Sequence, residues 1–351
     1  MRVASNANIQ ALRDALELSA ETLETVRGLV NGYQISQAIH VLVRLGLPDL
    51  LAGGPRSAVD LAAQVGAHEP SLYRLLRALA AIHVLHEEPD RRFALTELGQ
   101  VLRTDVHGSL AGWAAFIGRP YYWNVWGRLY DGVASGEHAF KLEHGKGPWA
   151  YRQERPEEVA VFNRAMNSNT GPVASALLDA YDFSGAGLVV DVGGGGGLLL
   201  TEILKANLPA RGILFDLPRT VEDARTFVSA AGLGDRCELV AGDFFKAVPP
   251  GADVYILKSI LHDWYDEDAA RILSSVRSAA ESNAVLLVIE SVIAGPNEGA
   301  AAKLGDLNML VAAGGRERTR DEWEQLLAGS GWRLEEIRPC GRSSVLVARP
   351  A

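Results

Sequence analysis

The chain has 351 residues, 48% of them hydrophobic and 22% charged, which is the composition of an ordinary soluble globular protein with ample material for a core. Its net charge of −9 argues against a nucleic-acid binder, which would present a basic face. No apolar run approaches the roughly 18 residues of a membrane span, and the N-terminus lacks a charged-then-apolar signal pattern.

The first part of the chain reads as helical. From about Ile9 to Leu47 the sequence is long and apolar enough for dimerising helices, and Ile35, Ile39, Leu42 and Leu45 fall on one helical face that stops near Gly46 and Pro48. Ser57 precedes a short helix ended by Gly66, and Glu69-Pro70 opens another with Leu72, Leu75, Leu76, Leu79 and Ile82 on one side. The run V-L-H-E-E-P-D-R-R-F-A-L, residues 84–95, has apolar ends around a charged Pro-Asp centre and predicts a β-hairpin. Two short helices and a hairpin make a winged helix. Arg74, Arg77, Arg91 and Arg92 invite a DNA-binding reading, but Glu69, Glu87, Glu88 and Asp90 cancel most of that charge. Dimerisation is the better expectation.

Residues 108–140 hold Trp113, Phe116, Tyr121, Tyr122, Trp123, Trp126, Tyr130 and Phe140, with Trp149, Tyr151, Phe162 and Met166 following. Most of these aromatics glue elements together. Phe116, Tyr122, Trp126, Phe162 and Met166 are candidates for lining a flat, apolar substrate pocket.

Leu188–Gly197 reads L-V-V-D-V-G-G-G-G-G. A buried parallel strand ends in an acid, a glycine turn lets a ligand lie against the backbone, and apolar residues resume at helical spacing. The dinucleotide pattern G-x-G-x-x-G fits poorly, since its third glycine falls on Leu198 or Leu199. The turn fits D-x-G-x-G-x-G, carried by Asp191, Gly193, Gly195 and Gly197, and resembles motif I of class I S-adenosylmethionine (SAM) methyltransferases. Further strand-like runs at Gly212–Leu217, Cys237–Ala241, Val254–Lys258, Val285–Ser291, Leu334–Arg338 and Ser344–Ala348 alternate with helices and predict a mostly parallel sheet with ligands at the strand ends. The two cysteines, Cys237 and Cys340, read as core thiols of a reducing cytosol.

The residues at those ends carry the chemistry. Asp216 is placed to accept hydrogen bonds from ribose hydroxyls, or else caps the helix after Pro218. Asp243-Phe244 can accept an adenine amine and pack on the ring, or else is a turn acid beside a core phenylalanine. His262, in L-K-S-I-L-H-D-W-Y-D-E-D, follows a strand where a ligand would lie, and a neutral imidazole there can take the proton of a phenol, whose pKa is near 10. Glu290 or Glu317 could orient it. Glu317 could equally belong to a surface run with Arg316 and Arg318, with Thr319 and Glu322 forming a capping box for the next helix.

Taken in order, D-V-G-G-G-G-G, F-D-L-P, G-D-F-F, L-H-D-W-Y-D-E-D and G-G-R-E-R-T resemble the small-molecule O-methyltransferases, a family that includes plant caffeate and flavonoid enzymes and bacterial enzymes acting on polyketides and phenazines. The resemblance spans nearly the whole chain. It implies a Rossmann-like SAM-binding domain at 181–351, an N-terminal winged-helix dimerisation domain at 1–105, and a helical linker lining the substrate pocket at 106–180. It makes His262 the general base with Glu290 and Glu317 as supports. Gly193, Gly195, Asp216, Leu217, Asp243, Phe244 and Lys258 would hold SAM, with Asp191 beside them and Trp264 near the adenosine. Met166, Asp263, Asn308 and Met309 would contact the acceptor. The implied reaction is methyl transfer from SAM, without a metal, to a hydroxyl of a small aromatic metabolite by a cytoplasmic homodimer that engages neither nucleic acid nor membrane. The alternatives are a SAM-binding relative with hydroxylase or decarboxylase chemistry, and a winged-helix regulator.

Overall fold

The structure is a computed structural model that describes residues 19–351. The expected start of the first helix near Ile9 lies outside the described residues. The chain divides into two compact units after Gln100.

In the first unit, α1 (Ala20–Val30) starts at Ser19, whose side chain accepts the Thr22 N–H, and α2 (Gly32–Arg44) follows. Of the face expected on α2, Leu42 is buried but Ile35 is exposed, and among the described residues α1 has none that is buried. Then come β1 (Arg56–Ser57), α3 (Ala58–Val65), α4 (Glu69–Ala81), β2 (Leu85–Glu88) and β3 (Arg92–Leu95). The expected hairpin is β2–β3. Sequence reading misses β1, which pairs antiparallel with β3 through Arg56 and Phe93. Two residues are too few to show a strand's alternation.

The second unit opens with short helices, among them α5 (Ala111–Ile117), α6 (Pro120–Trp126) and α7 (Pro148–Gln153), followed by the 25-residue α8 (Pro156–Ala180). Phe116, Tyr121, Tyr122 and Phe140 form a buried aromatic cluster, with Phe162 and Met166 packed against it.

A seven-stranded sheet follows. Its strands are β4 (Leu188–Val192), β5 (Arg211–Asp216), β6 (Cys237–Ala241), β7 (Val254–Lys258), β8 (Val285–Glu290), β11 (Trp332–Cys340) and β12 (Ser343–Pro350), in the spatial order β11-β12-β8-β7-β4-β5-β6. The pairs among β4 to β8 are parallel, and β12 joins β8 antiparallel. β11 is longer than the expected Leu334–Arg338, because a register shift between Leu334 and Glu336 interrupts its alternation. One face of the sheet packs on α8, α9 (Leu198–Ala206) and α10 (Pro218–Ala230), the other on α11 (Asp266–Ala279) and α13 (Arg320–Gly329). Sequence order reverses at β4, which lies between β5 and β7, so a crevice opens at the carboxyl ends of these strands. A second, two-stranded parallel sheet joins β9 (Val292–Ile293) to β10 (Arg318–Thr319). Between these two lies α12 (Ala300–Ala312). No helix among the described residues is long and apolar enough to cross a membrane.

Candidate active site

The glycine turn leaves β4 at the crevice. Gly193 has φ +74°, and its N–H donates to the Phe215 carbonyl at 2.7 Å. A Cβ on Gly193 would lie 2.5 Å from Ile260 Cδ1, so the turn is packed directly against the loop that carries His262. Gly195 has φ +57° and open space where a Cβ would stand, the cradle a ligand needs. Its N–H donates to Asp216 Oδ2 at 2.9 Å, while the Leu217 N–H donates to Oδ1 at 2.7 Å. Asp216 therefore ties the turn to the end of β5, and the N-cap of α10 is Leu217. Asp243 accepts the Phe245 N–H at 3.0 Å, as a turn acid does, with Phe244 beside it. The Trp264 ring meets Phe245 and Phe244 edge-on, with centroids 4.8 and 6.2 Å apart.

Asp191 is buried, and its Oδ2 has no hydrogen-bond partner. Burial lifts its pKa to about 7, opposed by the nearby Lys258 ammonium. Burial lowers the pKa of Lys258 in turn, while Glu290, Asp191 and Asp263 favour its charge; among the described residues its only hydrogen bond runs to Ser259 Oγ at 3.3 Å. A cradle of backbone, an underused buried ammonium and acidic strand ends suit SAM, which brings a carboxylate, ribose hydroxyls and an adenine amine.

On the other side of the crevice, a single helical turn, Leu261–Asp263, presents His262. Glu290, the last residue of β8, holds this turn: its Oε1 accepts the N–H groups of Ile260 (3.0 Å), Leu261 (2.9 Å) and His262 (3.4 Å). Its Oε2 lies 3.2 Å from His262 Nδ1. Glu317 Oε1 lies 2.9 Å from the same nitrogen. Glu317 reaches this place because Arg318 pairs with Val292 just beyond β8, and because Asp306 on α12 accepts the Glu317 N–H at 2.9 Å. Asp263 Oδ1 stands 3.8 Å from His262 Nε2. Burial by itself would lower the imidazole pKa, but Glu290, then Asp263 and Glu317, more than offset it and hold it up at about 10. Nδ1 of His262 is thereby committed to Glu290 and Glu317, and Nε2 is the nitrogen left for a ligand.

The surface-run reading of Glu317 is overturned. Glu317 is 4% exposed and Arg318 is fully buried, donating to the carbonyls of Leu261 (3.1 Å) and Trp264 (2.9 Å) and to Asp266 (2.9 Å). Arg318 thus grips the histidine turn from behind. The capping box of Thr319 and Glu322 is also present, so the two readings were compatible. His262, Glu290 and Glu317 present ligand atoms within 4.8 Å of one another, which is the donor set of a metal site as well as of an oriented base.

Of the acceptor candidates, Tyr122 is buried and its hydroxyl donates to Asn308 Oδ1 at 2.6 Å, joining the aromatic cluster to α12. Burial pushes its pKa to about 12. The Phe116 ring centroid lies 4.3 Å from that of Tyr122, with the rings tilted, and 5.6 Å from that of Phe162, edge-on. Met309 is buried on α12, Met166 is partly buried on α8, and Trp126 is 36% exposed at the end of α6. Sequence reasoning missed four residues here. Asn167 on α8 lies over the glycine turn, 3.1 Å from where a Gly196 Cβ would stand. Asp306 holds the Glu317 amide and Arg318 holds the histidine turn from behind, and Arg152 sits buried among the aromatics. Only Arg318, inside G-G-R-E-R-T, carried a motif that could have pointed to it.

Residues 126–333 match the O-methyltransferase domain, and residues 28–105 match the O-methyltransferase dimerisation domain. The chain is 42% identical over 325 residues to the mitomycin biosynthesis 6-O-methyltransferase of Streptomyces lavendulae, covering 92% of this chain and 93% of that one. It is 41% identical over 323 residues to the phenazine O-methyltransferase of Lysobacter antibioticus, covering 92% and 94%. The crystal structure of the neocarzinostatin-biosynthesis O-methyltransferase, in complex with SAM and 2-hydroxy-5-methyl naphthoic acid, superposes with a TM-score of 0.77 at 31% identity, over 90% of this chain and 96% of that one.

Proposed function

The chain belongs to the O-methyltransferase family, and from that premise we propose that it moves the methyl group of SAM to a hydroxyl of a small aromatic secondary metabolite, with His262 as general base. The observation that carries this is the imidazole of His262, oriented through Nδ1 by Glu290 and Glu317 at the crevice that the glycine turn closes.

SAM supplies a sulfonium-bound methyl group that is already activated for transfer. The chain must hold it, align an acceptor oxygen, keep water out and remove a proton. Gly193 and Gly195 give the turn its shape; Asp216, Leu217, Asp243, Phe244 and Trp264 line the nucleoside side, and Lys258 and Asp191 the amino-acid side. Phe116, Tyr122, Phe162, Met166, Asp263, Asn308 and Met309 form the apolar, flat side for the acceptor, with Trp126 at its rim. Nε2 of His262 takes the hydroxyl proton. Glu290 and Glu317 stabilise the imidazolium that results, which typically contributes about 10²–10⁴-fold to such a step.

The imidazolium form is already favoured before an acceptor arrives. A neutral phenol beside a neutral imidazole holds the same number of protons as a phenolate beside an imidazolium. The productive state is therefore one proton short of the resting one, and a base near pKa 10 is matched to a phenol of similar pKa.

Two further parts belong to the same reading. The exposed apolar residues Leu23, Val26, Leu29, Val30 and Tyr33, in or beside the segment matching a dimerisation domain, support a homodimer built on the N-terminal helices. Cys237 and Cys340, buried and unpaired, suit a cytoplasmic setting.

The test is mass spectrometry with purified protein, methyl-deuterated SAM and a panel of simple and polycyclic phenols. Labelled aryl methyl ether with S-adenosylhomocysteine supports the reading; SAM binding with no methylated product from any phenol counts against it. A metal held by His262, Glu290 and Glu317 is the competing use of that cluster. Dialysis against a chelator leaves activity intact if the cluster serves the imidazole, and abolishes it if the cluster serves a metal.

A further inference from the structure

Three neighbouring arginines on the aromatic side of the second unit have different fates. Arg119 is paired with Glu158, its Nε 2.9 Å from Oε2, and Arg155 donates to Glu154 at 3.2 Å. Arg152, on α7, is only 6% exposed and forms no ion pair among the described residues. Its guanidinium carbon lies 4.0 Å from the Phe162 ring centroid and 4.7 Å from that of Trp149. Two faces of aromatic rings hold the cation, and its edge donors have no carboxylate to meet.

The surroundings repeat the imbalance. Among the described residues the Trp149 indole N–H is buried without a hydrogen-bond partner, and the buried Tyr121 hydroxyl has only the Arg152 guanidinium beside it. Burial disfavours the arginine's charge, and Tyr121, then Asp263 and Tyr122, support it. Asp263 is also the residue 3.8 Å from His262 Nε2, so the arginine and the imidazole act on one carboxylate. A buried cation with no carboxylate in hydrogen-bond reach among the described residues, beside an unmet indole N–H, amounts to a site short of an anion.

The geometry points to an anion subsite for the acceptor: Arg152, with the Tyr121 hydroxyl and the Trp149 N–H, receives a carboxylate on the aromatic ring whose hydroxyl is methylated. The Phe162 and Trp149 rings stand at 83° to each other around the guanidinium, none of whose donors meets a carboxylate among the described residues, and a planar carboxylate can meet a guanidinium edge with two parallel hydrogen bonds. The acceptor class is thus an aromatic hydroxy-acid. This rests on the methyl-transfer reading above and adds the group that fixes the ring in register.

The experiment compares 2-hydroxy-1-naphthoate with its methyl ester, as kcat/KM with saturating SAM and as Kd by calorimetry with S-adenosylhomocysteine present. In the wild-type protein the acid is favoured over the ester by about 10- to 100-fold, the worth of a hydrogen-bonded charge. In Arg152→Met that ratio collapses toward one, and in Arg152→Lys it is partly restored; circular dichroism and SAM binding verify that each variant is folded. A wild-type ratio near one, no binding of the acid, or an equal loss for acid and ester in Arg152→Met overturns the subsite and leaves the arginine a packing residue. The binding ratio decides the subsite even if neither compound is methylated, an outcome that instead counts against methyl transfer.

Discussion

His262 Nδ1 and Glu317 Oε1 meet at 2.9 Å although 55 residues separate them in the chain. The contact exists because β10 docks beside β9 and because Asp306 fixes the Glu317 amide. In the proposed mechanism it holds the ring so that Nε2, not Nδ1, faces the acceptor. Glu317→Gln keeps a hydrogen-bonding oxygen but removes the charge that favours imidazolium. Turnover on a phenol is expected to fall by about 10- to 100-fold with SAM affinity retained. Steady-state kinetics and SAM calorimetry check this; a parallel loss of SAM binding would show that Glu317 shapes the whole crevice instead.

Glu290 carries a heavier structural duty. Its Oε1 takes three successive backbone N–H groups of the histidine turn. Glu290→Ala leaves them buried and unmet and is expected to destabilise the fold by about 3 kcal/mol or more, at roughly 1–3 kcal/mol for each unmet group. Glu290→Gln, which keeps an acceptor oxygen, should lose much less stability. Thermal and denaturant unfolding of the two variants side by side would refute this if Glu290→Ala matched the wild type.

The raised imidazole pKa sets the pH dependence. The productive state is one proton short of the resting enzyme, so kcat/KM for a weakly acidic phenol should rise with pH from 6 toward 9. Asp263 is one of the carboxylates that lift His262. Asp263→Asn lowers the imidazole pKa and should shift the rise to lower pH, whatever its effect on the maximal rate. Rate–pH profiles of both proteins decide it: an unmoved or upward-shifted profile contradicts the assignment.

Gly193 packs the glycine turn against the loop that carries His262. Alanine at φ +74° costs about 1–2 kcal/mol and drives a methyl into Ile260 Cδ1. Gly193→Ala is expected to weaken SAM binding by at least tenfold and to disturb His262 turnover as well. Adding Ile260→Val, which removes that Cδ1, should recover part of the loss. No recovery in the double variant would mean that backbone strain alone is responsible.

Much of the site was legible because its residues sit at strand ends, where a change of periodicity marks the position. Asp191, Asp216, Asp243, Lys258 and Glu290 each close a hydrophobic run. His262 was legible from its motif. Glu317 and Arg318 were harder to read, since R-E-R has the composition of a solvated surface, and only the pairing of β10 with β9 places it inside. Strand β1 has too few residues for a pattern, and the bulge in β11 breaks one. Ile35 shows the limit of periodicity: it lies on an apolar face, yet it is exposed among the described residues. Arg152 was invisible because a single arginine in an aromatic stretch carries no motif; its meaning comes from lacking the carboxylate its neighbours have.

The most direct test of His262 as base compares wild type with His262→Gln across phenols of falling pKa, following product by mass spectrometry under single-turnover conditions with SAM in excess. If His262 removes the proton, the variant binds SAM normally and loses about 10²–10⁴-fold on a phenol of pKa near 10, and the deficit shrinks as the phenol ionises by itself. A variant with full activity on the weakly acidic phenol, or with a deficit independent of acceptor acidity, would contradict it.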